Sequence, residues 1–280
     1  MKSLICACIV LHLMACSEDT TATGTTGPEV VPVSSADHPL DAATTADGAT
    51  VFFVTDGVSG SALFRATEGA PVRLATFTHA TSLVVARDGA TVYVGEAAGG
   101  VLAVPVAGGD PVQVPGTEGF SVAMLDLTDR LILAGADADG TPGVFVVAAA
   151  GGTPEAVVTG LEAAPTGVLQ LPEGDFAVAL PAGRVVRAEG ATGTTLYQGE
   201  ALGTPPGMAL SPDGQLMISS LSAEGTAQVV FLDLATGATS IFDDVIGANT
   251  GAGGLHKAAE AAVYAWADAI PPGRVYRIQF

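Results

Sequence analysis

A tight turn between two short apolar runs recurs along this chain about every forty residues. The turns fall at Asp47-Gly48, Asp88-Gly89, Asp129-Arg130, Glu173-Gly174, Asp213-Gly214 and Glu260-Ala261, at spacings of 41, 41, 44, 40 and 47. Segments Leu83–Val94 and Met208–Ser219 superpose as strand, Asp-Gly turn, strand. Asp-Gly supplies the positive φ that a two-residue hairpin demands. Each unit then continues with two more apolar runs. In the second unit these are Val101–Val104 and Pro111–Val114, in the third Val144–Val147 and Ala156–Val158, in the fifth Val229–Leu232 and Ser240–Phe242. Four short strands in a repeat of this length is the blade of a β-propeller. Period-two runs of Val and Thr, broken every few residues by Gly or Pro, exclude a helical repeat. Composition agrees, with 49% hydrophobic but only 5% aromatic residues, so that Val and Ala must fill the core.

Counting strands closes the ring. The sixth unit, Gly253 to Phe280, has room for three strands, whereas an orphan apolar run, Glu29–Ser34, precedes the first unit. Pairing that run with the C-terminal strand completes the last blade and removes an exposed edge. Pro32 suits an outermost strand, one side of which needs no partner. The expected architecture is therefore all-β: a six-bladed β-propeller of four-stranded blades over residues 29–280, its N-terminal strand closing the last blade.

The first sixteen residues carry a different message. After Met1-Lys2-Ser3 comes the apolar stretch Leu4–Ala15, too short for the roughly 20 helical residues of a membrane span but suited to a signal-peptide core. It ends in Leu13-Met14-Ala15-Cys16, which resembles a bacterial lipobox. The resemblance implies a signal peptide at residues 1–15, cleavage after Ala15 and a diacylglycerol thioether on Cys16. Cys6, Cys8 and Cys16 are the chain's three cysteines, so a mature domain cut at Cys16 has no internal disulfide. Ser17, where aspartate often marks inner-membrane retention, points to the outer membrane, facing the periplasm or the cell surface. Residues 17–28 are small and polar and complete a lipidated, flexible tether over 16–28, with a reach of roughly 40 Å extended and about 20 Å as a coil.

Charge excludes one class of partner. Loss of Lys2 leaves nine basic against 29 acidic residues, a balance of −20. Such a surface repels phosphate backbones, so no nucleic-acid partner is expected.

The Pro/Gly-rich lead into each inner strand and its Asp-Gly turn resemble those of six-bladed bacterial propellers, including the senescence-marker/gluconolactonase hydrolases and related envelope propellers. In those hydrolases the resemblance implies a divalent metal at the top of the central channel, held by carboxylates and an asparagine just ahead of the inner-strand glycine. The matching positions here are Leu40, Thr81, Val122, Thr166, Pro206 and Gly253, with Ser121 reached by a one-residue slip. None offers a carboxylate or asparagine oxygen, which a hard cation needs in number. Mature histidines are His38, His79 and His256, in separate units and without a Gly-x-Ser-x-Gly elbow. His256 falls in the inner strand of unit six and can face the channel, although packing is the commoner role for a lone histidine. Asp137-Ala138-Asp139-Gly140 resembles half a calcium loop but lacks the closing glutamate, and reads as a solvated turn. Tyr264 and Trp266 alternate on a strand, as packing between blades requires. No catalytic, metal or cofactor residues are expected; the assigned site residue is Cys16. The expected function is a monomeric, membrane-anchored envelope lipoprotein whose propeller binds or scaffolds a protein or small ligand without catalysis. The expected partners are the membrane, through the anchor, and an envelope protein. The alternative is a propeller hydrolase of the lactonase or esterase kind with an atypical site.

Overall fold

The computed structural model describes residues 29–31, 38–57, 60–67, 70–125, 128, 130–137, 139–242, 252–268 and 273–279; the signal peptide, Cys16 and the tether lie outside them. Every regular element among these residues is a β-strand, and the strands form six separate antiparallel sheets. Blade one is typical: His38–Thr44, Val51–Gly57, Gly60–Ala66 and Val72–Phe77 pair in sequence order. The innermost strands of the other blades are Ala80–Val85, Phe120–Leu125, Gly167–Gln170, Met208–Leu210 and Ala252–Lys257. Outside blade three, where residues 126, 127 and 129 lie outside the described ones, each leads into one of the turns that mark the repeat. In blade one the Asp47 carboxylate accepts hydrogen bonds from Thr45 Oγ1 at 2.6 Å and Ala49 N at 3.0 Å, which hold its pKa below the usual carboxylate range.

The last blade closes as the strand count requires. Its order is Glu29–Val31, Arg274–Gln279, Val263–Asp268, Ala252–Lys257, and Glu29, Val30 and Val31 stand opposite Arg277, Tyr276 and Val275. Pro32 and the rest of the expected closing run lie outside the described residues. Two further bonds tie blade six to blade one: Arg277 Nε donates to Gly48 O, and Glu260 N to Ala46 O, each at 2.8 Å.

Between blades the core is largely aliphatic, with scattered Phe and Tyr rings among Val, Leu and Ala. Phe52, Val54 and Leu63 of blade one meet Leu83, Val92 and Val94 of blade two, all buried. Complete burial of side chains of this size stabilises by about 1.5–3 kcal/mol each. The largest aromatic side chain, Trp266, lies between blades five and six, where Tyr264, Trp266 and Tyr276 pack on Met217 and Val229. Trp266 Nε1 donates to Ser219 Oγ at 3.2 Å and the Tyr264 hydroxyl to Leu210 O at 2.7 Å. Both polar tips are satisfied across that seam, consistent with a packing role for the pair.

Two irregularities shape the centre. The inner strands of blades one, two, three and six slip register near their N-terminal ends, between Pro39 and Asp41, Ala80 and Ser82, Phe120 and Val122, and Ala252 and Leu255. A bulge of this kind re-aims the residues beside it. In blade five the inner position is filled twice: Ala201–Leu202 pairs with the upper part of Leu216–Leu221, and Met208–Leu210 with the lower part. Pro205 and Pro206 stand in the gap, and neither has an N–H for the ladder.

Candidate functional site

All six inner strands run in the same direction along the central channel, so the channel has two chemically distinct ends. Their N-terminal ends open into a wide basin of about 890 Å³. Their C-terminal ends surround a smaller cavity of about 260 Å³. Between the two is a waist with some 20 Å³ of free space, about enough for one water.

The bulged positions build the basin. Leu40, Thr81, Thr166 and Pro206, four of the six positions that match the hydrolase ligand sites, all line it. In blade three the residue skipped by the register is Ser121, while Val122 pairs with Ala134; the slip considered from sequence is the one that the strand makes. Gly253 is buried beside Leu40 O and Ala267 O. The basin wall is otherwise rich in Pro, Gly and Ala, with Asp56, His79 and Glu200 as its ionisable groups. His79 Nδ1 lies 3.7 Å from Asp56 Oδ1, both well exposed. On the rim, Ala182 sits in the left-handed region at φ 63°, a conformation that non-glycine residues adopt at a cost of order 1–3 kcal/mol.

The waist holds His256, flagged from the sequence, against Asp41, which the repeat alignment misses by one residue. Asp41, the residue after the bulge in blade one, is 1% exposed, and His256 of blade six is 8% exposed. His256 Nε2 stands 2.9 Å from Asp41 Oδ1. The same carboxylate accepts Ala42 N at 2.9 Å and, through Oδ2, Leu83 N of blade two at 2.8 Å. One side chain thus links blades six, one and two. The approach requires glycine opposite: a Cβ on Gly254 would come within 1.6 Å of Asp41 Oδ1. A buried imidazole on a carboxylate can do acid–base work, and here the carboxylate is held by Ala42 N, Leu83 N and His256 Nε2. A buried Asp in the run Leu40-Asp41-Ala42-Ala43, aligned with Ser82 in the next unit, was the signal available in the sequence.

The other flagged residues lie apart. His38 begins the inner strand of blade one, and His79 is on the basin, away from the waist. Asp137 Oδ1 accepts Asp139 N at 3.0 Å and Thr141 N at 2.8 Å, forming an exposed turn on blade three. Among the described residues no three His, Cys, Asp or Glu side chains converge as a metal site would require. No helix of the described residues is long and apolar enough to cross a membrane.

No family model matches the chain, and no curated protein does. Solved structures do match. A protein of unknown function from Bacteroides thetaiotaomicron aligns with a TM-score of 0.63 at 13% identity, over 90% of this chain and 72% of that one. A chain of the nidogen/laminin complex aligns at 0.60 and 13% identity, over 74% and 80%. The β-propeller domain of Cps50 (Swd1) from Myceliophteria thermophila aligns at 0.54 and 11% identity, over 90% and 99%. At these identities the likeness extends to the fold, and the fold is that of a six-bladed β-propeller.

Proposed function

We propose that this protein is a lipid-anchored envelope lipoprotein whose propeller presents the wide basin, away from its membrane, to a protein partner and binds it without catalysis. The direction of the closing strand carries this reading. Glu29–Val31 is antiparallel to Arg274–Gln279, which runs parallel to the inner strands, so the closing strand heads towards the basin end. A tether joined before Glu29 therefore meets the disc on the side of the small cavity. With an acylated Cys16 and only twelve residues between it and Glu29, the small-cavity side lies towards the lipid and the basin towards the surrounding compartment. Acyl chains contribute about 0.8 kcal/mol per buried CH₂, so two or three of them hold a protein of this size to a bilayer.

Two measurements test the reading. Cys16→Ser is expected to abolish labelling by a clickable fatty acid and partitioning into detergent micelles. Equal label on wild type and variant would remove the anchor. For orientation, single cysteines are placed at exposed positions on opposite faces, Ala164→Cys on the basin and Ala259→Cys beside the small cavity. With Cys16 blocked by lipid, each is the only free thiol. In vesicles a bulky maleimide should react several-fold more slowly at position 259 than it does in detergent, with position 164 unchanged. The reverse pattern would turn the disc over. Lactone or ester turnover that disappears in His256→Gln would overturn the non-catalytic part of the proposal.

A further inference from the structure

The cavity at the narrow end is lined for the most part by aliphatic and methionine side chains, among them Val85, Met124, Leu169 and Met208. Its charged lining is unusual for this chain. Although acids outnumber bases 29 to 10, the charged residues on the wall are Arg87 and Lys257, beside His256, and among the described residues no carboxylate lines it. Lys257 is the single lysine beyond Lys2. Of the acids on the repeat turns outside, three are spent locally: Asp47 on Thr45 and Ala49, Asp88 on Ala90 N at 2.9 Å, Asp213 on Ser211 Oγ at 2.5 Å. Facing water, their repulsion fades over a Debye length of about 8 Å at physiological salt.

A second observation points to a missing partner. Thr44, on the same wall, is 7% exposed, and its Oγ1 is buried with no hydrogen-bond partner. Leaving a buried hydroxyl unsatisfied costs about 1–3 kcal/mol, which a rotation about χ1 that brings the hydroxyl onto an acceptor in the cavity would remove. His256, held through Nε2 by Asp41, is on the same wall. We infer that this cavity is a binding site for a small monocarboxylate with an apolar body. The aliphatic wall takes the body, and the carboxylate lies towards Thr44 and Lys257. At about 30 Å³ per water-sized group, 260 Å³ has room for a chain of roughly eight carbons.

The experiment uses the chain from residue 16 onward with Cys16→Ser, which retains every strand of the propeller. Calorimetric titration with octanoate, octylamine and 1-octanol, at matched ionic strength, separates charge from apolar fit. Octanoate is expected to bind at least about tenfold more tightly than either analogue, a difference worth about 1.4 kcal/mol. Thr44→Val, which removes the orphan hydroxyl at nearly constant shape, should weaken octanoate several-fold while raising the thermal midpoint of the unliganded protein. Lys257→Gln should weaken octanoate and leave octanol unchanged. Absence of octanoate binding at millimolar concentration overturns the site. So does octylamine binding as tightly as octanoate, or octanoate affinity unchanged in both variants.

Discussion

A chain that starts at Ser35, and so lacks the closing run, should unfold roughly 6–12 °C below one that starts at Ser17. The difference reflects about 3 kcal/mol, from a few backbone hydrogen bonds at about 1 kcal/mol net each and the burial lost with them, at 2–4 °C per kcal/mol for a domain of this size. The loss falls on three residue pairs, Glu29–Arg277, Val30–Tyr276 and Val31–Val275. Removing them leaves Arg274–Gln279 as an exposed edge, open to pairing with another chain. A chain starting at Gly27 keeps the strand and serves as control; its midpoint should match that of the longer chain. Thermal scans of the three proteins decide the matter, and equal midpoints for all three would show that the strand contributes nothing.

Breaking the waist should have a comparable effect. Asp41→Ala leaves Leu83 N and His256 Nε2, both bonded to the carboxylate at present, without their acceptor. His256→Ala leaves a buried carboxylate. Leaving a buried donor or acceptor unsatisfied costs about 1–3 kcal/mol, and more for a charged group, or roughly 2–12 °C here. The double variant should be clearly less destabilised than the two single losses added together, because each single change strands a partner that the double one removes. Strict additivity in a chemical-denaturation cycle would mean that the two side chains are not coupled. Gly254→Ala attacks the same contact sterically, since its Cβ would lie 1.6 Å from Asp41 Oδ1, and should destabilise without removing any polar group.

The contrast between fold and site has a physical origin. Asp47-Gly48 or Asp213-Gly214 announces a hairpin through chemistry contained in two residues, so the repeat is visible in a single sequence. The closing strand was legible for a similar reason, because unit six visibly lacks a run that Glu29–Ser34 can supply. The waist is another kind of feature. Asp41 and His256 are 215 residues apart, and only the closed ring brings them together. The repeat points to Leu40 because it counts along an even strand, whereas the chain bulges there and turns Asp41 inward. The split inner strand of blade five was half visible: Pro205 and Pro206 stood out, but that Ala201–Leu202 takes over the upper pairing depends on the shape of the neighbouring strand. The small cavity draws on all six blades, and no local pattern encodes such a wall.

The way the last blade is shared also sets a clock. As the chain is made, Glu29–Val31 emerges first among the strands, and its partner Arg274–Gln279 emerges last. Blades one to five can each form from contiguous residues, but the outer strand of the sixth has no partner until Arg274–Gln279 is free. The earliest strand must wait, unpaired, through the synthesis of nearly the whole domain, and contacts of such long sequence separation are slow to form. A chain cut short before Arg274 retains five complete sheets yet cannot close the ring. It carries an unsatisfied strand at its start, which distinguishes an unfinished molecule from a finished one.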